Sequence, residues 1–163
     1  MEYQEILREF YVDRPSGIRL MGDNNGMVPE GDMPIIKRPV LVVEDSENNA
    51  AILEIALSGI PEVTVVLAYS ALEAWRILSA RVPSIRAIVT DLNMPRMDGF
   101  ELIRRVRADG RLAATPIMVV SADTDPATPQ RIAQLGVSAF FAKPYSPAQV
   151  RRKLEQILNG TPD

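Results

Sequence analysis

The chain has 163 residues and a formal net charge of −3, and 47% of its residues are hydrophobic and 24% charged, which is the profile of a globular domain with a sizeable core. It contains no cysteine and no histidine, which excludes disulfides, thiol catalysis, histidine-based triads and any metal site without oxygen ligands. Because no basic run and no long apolar run is present, we expect a cytoplasmic protein with neither nucleic acid nor a membrane as its partner.

The first 38 residues differ in composition from the rest of the chain. Apolar residues at helical spacing predict a short amphipathic helix over residues 1–12. These residues are Tyr3, Ile6, Leu7, Phe10 and Tyr11. Residues 13–38 are rich in Pro and Gly and predict a flexible linker or tail. The helix is either a docking segment for this domain, a second copy or an output partner, or it is a frayed tail, with translation starting at a later methionine.

Residues 39–160 contain five short apolar segments that alternate with helical patterns. The segments are rich in Val, Ile and Phe and mostly lack polar alternation, which is typical of parallel strands buried on both faces. They are Pro39–Val43, Val63–Ala68, Ala87–Thr90, Pro116–Val120 and Ala139–Ala142.

A helical pattern follows each apolar segment. Three of the helices begin after a residue that can cap a helix N-terminus, namely Ser46, Asp98 and Ser146, and the apolar stripe of the second helix follows Ser70. The fourth helix of the series is shorter and is predicted over Pro129–Leu135. This (βα)₅ alternation predicts a doubly wound α/β domain, in which helices cover both faces of a parallel sheet.

Polar residues stand at the carboxyl ends of four predicted strands. Glu44 and Asp45 follow the first strand, Asp91 the third, Ser121 the fourth and Lys143 the fifth. The second strand ends in apolar residues, which is typical of an edge strand away from the site. Since the carboxyl ends of parallel strands meet at one edge of the sheet, where ligands of this architecture bind, we expect the five polar side chains to converge.

Three carboxylates at one site repel each other, by roughly 4 kcal/mol for each pair at about 4 Å and an effective dielectric near 20. One lysine does not offset this repulsion, whereas Mg²⁺ or Mn²⁺ does, and we expect one of these ions as the cofactor. A metal, Lys143 and the Ser121 hydroxyl around one carboxylate suit a phosphoryl group, with Asp91 as the expected nucleophile. Singly, each residue has an ordinary structural role, so it is their coincidence at four strand ends that favours a functional site.

Four sequence blocks resemble the signature blocks of bacterial two-component response-regulator receiver domains, including the stand-alone chemotaxis type. The blocks are VLVVED (40–45), TDLNMPRMDG (90–99), VVSAD (119–123) and FFAKP (140–144). Their order and spacing both agree with the family over about residues 38–158. The resemblance implies a flavodoxin-like receiver fold with a five-stranded parallel sheet in the order 2-1-3-4-5.

The resemblance also implies which residues bind the phosphoryl group and the metal. Asp91 is implied to be the phosphoacceptor. Glu44, Asp45 and Asp91 are implied to bind the metal together with the backbone carbonyl of Asn93. Glu44 departs from the family, in which Asp is common at this position, and this change does not threaten phosphorylation.

Four further residues match the family's switching apparatus. Lys143 is implied to bridge to the phosphoryl group, and its peptide bond to Pro144 is expected to be cis. Ser121 is implied to donate a hydrogen bond to the phosphoryl group, and Phe140 to be the aromatic residue that rotates inward afterwards. Phe140 stands where Tyr is common, so an output that needs the tyrosine hydroxyl is in doubt.

The lifetime of the phosphorylated state and the partners are also implied by the resemblance. Asn93, Ala122 and Asp123 occupy positions that influence water access to the acyl phosphate, and they predict relatively fast self-dephosphorylation. The implied donor is a histidine kinase or a histidine phosphotransfer protein. The implied output surface comprises the fourth helix, fifth strand and fifth helix, and a phosphorylation-dependent homodimer is a further expectation. The chain is expected to be a switch that signals by protein contact and not a turnover enzyme.

Other functions use related features. A haloacid-dehalogenase-like phosphatase also has an aspartate nucleophile and Mg²⁺, but it needs a second acid two positions after the nucleophile, where this chain has Asn93. A receiver that drains phosphoryl groups from a shared kinase would have the same site without an output partner. A degenerate receiver that serves only as a binding module would lack part of the site.

Overall fold

The computed structural model describes residues 11–14, 17–20, 38–80 and 84–160. In these residues seven strands form one sheet: β1 (Tyr11–Arg14), β2 (Gly17–Leu20), β3 (Arg38–Val43), β4 (Val63–Ala68), β5 (Ala87–Thr90), β6 (Ile117–Ser121) and β7 (Ala139–Ala142). The helices are α1 (Glu47–Ser58), α2 (Ala71–Ala80), α3 (Gly99–Ala108), α4 (Thr128–Gln134) and α5 (Pro147–Asn159). Within the described ranges, none of the helices has the length and apolarity that spanning a membrane requires.

The strand order places the ends of β3 and β5 side by side. The sheet runs β1-β2-β4-β3-β5-β6-β7, so β3 to β7 have the predicted parallel order 2-1-3-4-5. In this register the last residue of β3, Val43, lies opposite the last residue of β5, Thr90. The amide of Asp91 then donates to the carbonyl of Val43 at 3.0 Å. Glu44 and Asp91 therefore directly follow the paired ends of two neighbouring strands, at the same edge of the sheet.

Helices cover both faces of the sheet, as predicted. Alternate residues of a strand point to opposite faces, and β3 supplies both parts of the core. Leu41 and Val43 pack in the cluster that includes residues of α2, α3 and α4, whereas Val40 and Val42 pack in the cluster that includes residues of α1 and α5. All four side chains are fully buried.

The predicted N-terminal caps at Ser46, Asp98 and Ser146 are confirmed, and Ser70 caps α2 in the same way. The side-chain oxygens of the four residues accept from the backbone amide three positions later, over 2.9 to 3.3 Å: Ser46, Ser70, Asp98 and Ser146. At the other end of α5, Gly160 adopts φ 67°, the left-handed conformation in which glycine commonly ends a helix. The remaining helix, α4, begins at Thr128, one residue before its predicted start.

The N-terminal region differs from its prediction. We predicted a helix over residues 1–12 and a linker over 13–38, but β1 and β2 form an antiparallel pair within these ranges. β2 also pairs in parallel with β4, with Gly17 opposite Val65. β4 is therefore an inner strand and not the edge strand that we predicted. The remaining parts of the predicted helix and linker, including residues 1–10, lie outside the described residues.

Candidate functional site

Three carboxylates meet at the carboxyl ends of β3 and β5. Oxygen atoms of Glu44, Asp45 and Asp91 all lie within 4.8 Å of one another. Glu44 is 1% exposed and Asp91 5% exposed, while Asp45 is exposed to solvent. The three side chains thus form an acidic pocket that is open on the side of Asp45.

Lys143 brings one positive charge to this pocket from the end of β7. Its Nζ lies 2.9 Å from Oδ2 of Asp91 and 3.2 Å from Oε2 of Glu44. The backbone amide of Lys143 donates to the carbonyl of Ser121 at 2.9 Å, which ties the β7 end to the β6 end. The peptide bond between Lys143 and Pro144 is cis, as predicted.

The charges of the pocket perturb one another. Burial, and then the negative charge of Asp91, raise the pKa of Glu44 above its ordinary value. Burial by itself lowers the pKa of Lys143, but the hydrogen bond and charge of Asp91, together with those of Glu44, outweigh burial, so that this pKa is raised. The lysine therefore stays charged, and its single charge does not balance the carboxylates.

The two carboxylate oxygens of Asp91 have different surroundings. Oδ2 faces Lys143, whereas Oδ1 accepts from the backbone amides of Leu92 at 2.7 Å and Asn93 at 3.2 Å. These amides fix the rotation of the carboxylate group. Asp91 is thus held in one orientation at the centre of the pocket.

Gly99 had no predicted role, yet it determines how closely α3 approaches Asp91. The amide of Gly99 donates to the carbonyl of Leu92 at 2.9 Å. A Cβ atom at position 99 would lie 2.2 Å from the backbone oxygen of Asp91 and 2.7 Å from Cα of Leu92. These contacts involve backbone, which cannot turn aside, so glycine is required here.

Asn49 is a second residue whose contact with the site was not predicted. It lies in the first turn of α1, where its backbone amide donates to Oγ of Ser46. Its side-chain Nδ2 lies 3.4 Å from Oε1 of Glu44, opposite the oxygen that contacts Lys143. A polar residue in the first turn of the helix after the acidic pair is the sequence signal for this contact.

Ser121 is fully buried at the end of β6. Its Oγ accepts from the backbone amide of Asp123 at 3.1 Å and from Nδ2 of Asn93 at 3.5 Å. A hydroxyl has two acceptor positions and one proton, so these contacts leave the proton available for donation elsewhere. Asn93 links Ser121 to the Asp91 loop, and Ala122 is exposed beside them.

Phe140 is half-buried in β7. It lies opposite Val119 of β6 and packs against the core cluster of α2, α3 and α4. The predicted aromatic residue therefore belongs to the strand next to that of Ser121. The structure thus brings together Glu44, Asp45, Asp91 and Lys143 and connects Ser121 to them through Asn93.

An aspartate held beside a lysine, an acidic pair and a buried hydroxyl, on a parallel sheet of this order, defines a receiver-type phosphoacceptor domain. The chain matches the response regulator receiver domain over residues 40–155. It is 35% identical over 124 residues to the chemotaxis protein CheY1 of Helicobacter pylori, which covers 76% of this chain and 98% of that protein. It is 34% identical over 129 residues to the two-component response regulator ORR6 of Oryza sativa, covering 78% and 75% of the two chains.

A solved structure of a response regulator receiver protein from Pseudomonas putida is also similar. It is 33% identical with a TM-score of 0.68, over 76% of this chain and 99% of that one. The chain therefore belongs to the response regulator receiver family and acts in two-component signalling as a phosphoacceptor.

Membership of the receiver family establishes several general properties of the chain. Receiver domains bind a divalent metal at an acidic pocket, exchange signals with histidine kinases or phosphotransfer proteins and with output partners, and are not turnover enzymes. The phosphatase alternative is not favoured, because Asn93 stands where that chemistry needs a second acid.

Proposed function

We propose that Asp91 accepts a phosphoryl group from a phosphohistidine of a kinase or phosphotransfer protein. The observation that supports this most directly is the fixed orientation of Asp91, with Oδ1 on two backbone amides and Oδ2 on Lys143. In the transfer, a carboxylate oxygen of Asp91 attacks phosphorus and the phosphorus–nitrogen bond breaks. The electron pair of that bond stays on the imidazole of the donor, and Lys143 neutralises part of the charge on the phosphoryl oxygens.

The cofactor in this proposal is Mg²⁺, or Mn²⁺ in its place. The carboxylates of Glu44, Asp45 and Asp91 and the backbone carbonyl of Asn93 would hold it. Support comes from one oxygen atom of each carboxylate, which lie within 4.8 Å of one another, and from burial and then the negative charge of Asp91, which together raise the pKa of Glu44 although Lys143 is beside it. When bound, the ion supplies positive charge for the phosphoryl oxygens.

The donor protein is proposed to dock on α1 and α5. Ile55 is 71% exposed and Ile52 46% exposed on α1, and both line an apolar groove against the start of α5. A second groove shares Ile52 and Pro147 with the first and extends to Lys143. An apolar surface therefore leads directly to the pocket into which a phosphohistidine must reach.

Ile55→Lys tests the docking surface. We expect normal phosphorylation by acetyl phosphate, which needs no protein surface, and at least tenfold slower transfer from a phosphohistidine protein. Leu72→Lys is the matched control, because Leu72 is 50% exposed on α2, on the other face of the sheet. Equal slowing by both substitutions would remove the support for a surface on α1.

Ser121 and Phe140 are proposed to carry the response to phosphorylation. Ser121 has an available proton and a buried position at the β6 end, so it donates to the phosphoryl group and draws the loop after β6 toward Asp91. Phe140 is half-buried beside β6 and turns into the space that is vacated. The output surface is then the face of α4, β7 and α5, where the output protein or a second phosphorylated copy binds. The cytoplasmic location stays a prediction.

The central experiment is mass spectrometry of the intact chain after treatment with acetyl phosphate and millimolar Mg²⁺. We expect one phosphoryl group on the wild type and none on Asp91→Asn. Uptake by the Asp91→Asn variant, or none by the wild type, would contradict the assignment.

Ser121→Ala should still be phosphorylated yet show a weaker change in the NMR shifts of α4 and β7. A full response in Ser121→Ala would remove Ser121 from the switch. A wild type that changes conformation without binding an output protein would instead support the phosphate-draining alternative.

A further inference from the structure

The two buried carboxylates of the acidic pocket are held in the same way. Glu44 and Asp91 each present one oxygen to Nζ of Lys143, at 3.2 Å and 2.9 Å. The other oxygen of each carboxylate accepts from two N–H groups. For Asp91 these donors are the backbone amides of Leu92 and Asn93, at 2.7 Å and 3.2 Å. Each carboxylate therefore has one oxygen turned toward the lysine and one turned away from it.

For Glu44, one of the two donors is a side chain. Oε1 of Glu44 accepts from the backbone amide of Ser46 at 3.4 Å and from Nδ2 of Asn49 at 3.4 Å. Backbone donors, such as the two at Asp91, are present whatever the side chain. The orientation of the Glu44 carboxylate thus depends on the identity of one residue in α1, whereas the orientation of Asp91 does not.

The free acceptor positions of the two carboxylates lie on the oxygens that face Lys143. A carboxylate oxygen has about two acceptor positions. Both positions are used at Oε1 of Glu44 and at Oδ1 of Asp91, whereas the single contact with Lys143 leaves one position at Oε2 and one at Oδ2. These are the oxygens with which the two buried side chains can bind a cation.

The length of the Glu44 side chain makes the second donor necessary. Glutamate has one methylene more than aspartate, so it has one more rotatable bond whose freedom is lost when the side chain is ordered. Mg²⁺ requires nearly ideal octahedral geometry, so it is bound well only by ligand oxygens that are held in place. A single donor on Oε1 would leave the carboxylate free to rotate about that contact.

The start of α1 holds Asn49 in position for this contact. The backbone amide of Asn49 donates to Oγ of Ser46 at 3.3 Å, and the amide of Ala50 donates to the carbonyl of Ser46 at 2.9 Å. Ser46 therefore caps the first turn with its side chain and contacts Glu44 with its amide. From this capped turn, the half-buried side chain of Asn49 reaches the same oxygen of Glu44.

We propose that Asn49 is a positioning residue for the metal, which holds Oε1 of Glu44 and thereby keeps Oε2 directed toward the cation. This inference rests on the proposed binding of Mg²⁺ at the acidic pocket. Asn49 acts on the ion only through Glu44, and removal of its side chain frees the carboxylate to rotate. Loss of a residue that orients a metal ligand commonly lowers metal affinity by about 10- to 100-fold.

Mg²⁺ titration of the unphosphorylated chain, followed by the NMR shift of the Leu92 amide, tests this role. We expect Asn49→Ala to bind Mg²⁺ about tenfold more weakly than the wild type. Asn48→Ala is the matched control, because Asn48 is the exposed asparagine one position earlier in the same turn, and it should bind as the wild type does. Equal affinities of the two variants would overturn the proposal.

The Glu44→Asp substitution shows whether Asn49 acts through the longer side chain. Aspartate withdraws the carboxylate by one methylene, out of reach of Nδ2 of Asn49, which already lies 3.4 Å from Oε1. In the Glu44→Asp background we therefore expect Asn49→Ala to change the Mg²⁺ affinity by less than about twofold. An equal loss in both backgrounds would refute the proposal, because Asn49 would then act independently of Glu44.

The same titrations separate this inference from the proposed function. If the wild type binds no Mg²⁺, the proposed cofactor fails and the role of Asn49 fails with it. If the wild type binds Mg²⁺ and Asn49→Ala binds it as tightly, the metal site stands and only the role of Asn49 is refuted.

Discussion

The two ends of the sheet hold their charged side chains in opposite ways. At the carboxyl ends of the strands, two buried carboxylates and an exposed one share a single lysine, and the pKa of Glu44 is raised by burial and by Asp91. At the opposite end, the guanidinium of Arg107 donates to four backbone carbonyls over 2.7 to 3.1 Å. These belong to Ala113, Thr115, Leu135 and Gly136. At the Arg107 end, the hydrogen-bonding groups are paired, and they join α3, the loop before β6 and the end of α4. At the end with the acidic pocket, negative charge is left over for a cation.

The largest expected loss of stability follows from removal of Arg107. Arg107→Ala leaves four carbonyls without their donor, and we expect the free energy of unfolding to fall by about 3 kcal/mol. Arg104→Ala is the control, since its half-exposed pair with Glu101 is worth less than about 0.5 kcal/mol. Urea denaturation of both variants measures the difference, and similar losses would mean that the four contacts are no more stabilising than a surface pair.

At the acidic pocket, the stability should depend on the metal ion instead. Because the ion binds only the folded pocket, Mg²⁺ at a hundred times its Kd should raise the free energy of unfolding by about 2.7 kcal/mol. Thermal melting in EDTA and in Mg²⁺ measures this, with Asp91→Asn expected to respond less. Identical melting curves of the wild type under the two conditions would contradict a metal site.

Because the pKa of Glu44 is raised, we expect the stabilisation by Mg²⁺ to depend on pH. Without metal, the folded protein holds the Glu44 proton more tightly than the unfolded chain does. This contribution to stability is present below the ordinary value of 4.5 and is lost as the pH rises through the raised value. Metal binding needs the ionised carboxylate, so the Mg²⁺-induced rise in Tm should shrink as the pH falls through that range. A constant rise would show that Glu44 does not contact the ion.

Gly99→Ala should disturb the acidic pocket, because it displaces the backbone beside Asp91. The new Cβ meets the backbone of Asp91 and Leu92, so we expect a loss of about 2 kcal/mol and a weaker response to Mg²⁺. Gly110→Ala is the matched control, because a Cβ there meets nothing within 4 Å. Unaltered Mg²⁺ stabilisation in Gly99→Ala would show that α3 does not set the position of Asp91.

The smallest expected effect concerns the lifetime of the phosphorylated state. Ala122 is exposed beside the buried Ser121, so a larger side chain would shield the acyl phosphate from water. We expect Ala122→Leu to slow dephosphorylation roughly fivefold, or about 1 kcal/mol in the barrier, and Asp123→Lys to act in the same direction. The decay of the phosphorylated mass after removal of the donor measures both. Unchanged decay in the two variants would remove these positions from control of the lifetime.

Most of the receiver fold could be predicted because its signals are local. Apolar runs of strand length, capping residues such as Ser46 and Asp98, and polar residues at strand ends each depend on a few neighbouring positions. The charged pocket followed from one further rule, that the carboxyl ends of parallel strands share an edge. The start of α4 was misplaced by one residue, because its first residue, Thr128, follows Ala127, whose side chain makes no cap hydrogen bond and so leaves no start signal in the sequence.

The sequence by itself determined the order of strands and helices, the capped helix ends and the identity of the residues at the acidic pocket. Only the tertiary structure decided which atoms meet. The contact of Asn49 with Glu44, the close approach of Gly99 to Asp91 and the four acceptors of Arg107 all join elements that are packed in space. The pairing of β2 with β4 could not be predicted from the sequence either, because it depends on backbone groups that every residue has and on an open sheet edge. Such contacts leave no periodic pattern in the chain, since their energy depends on distances that exist only after the core has formed.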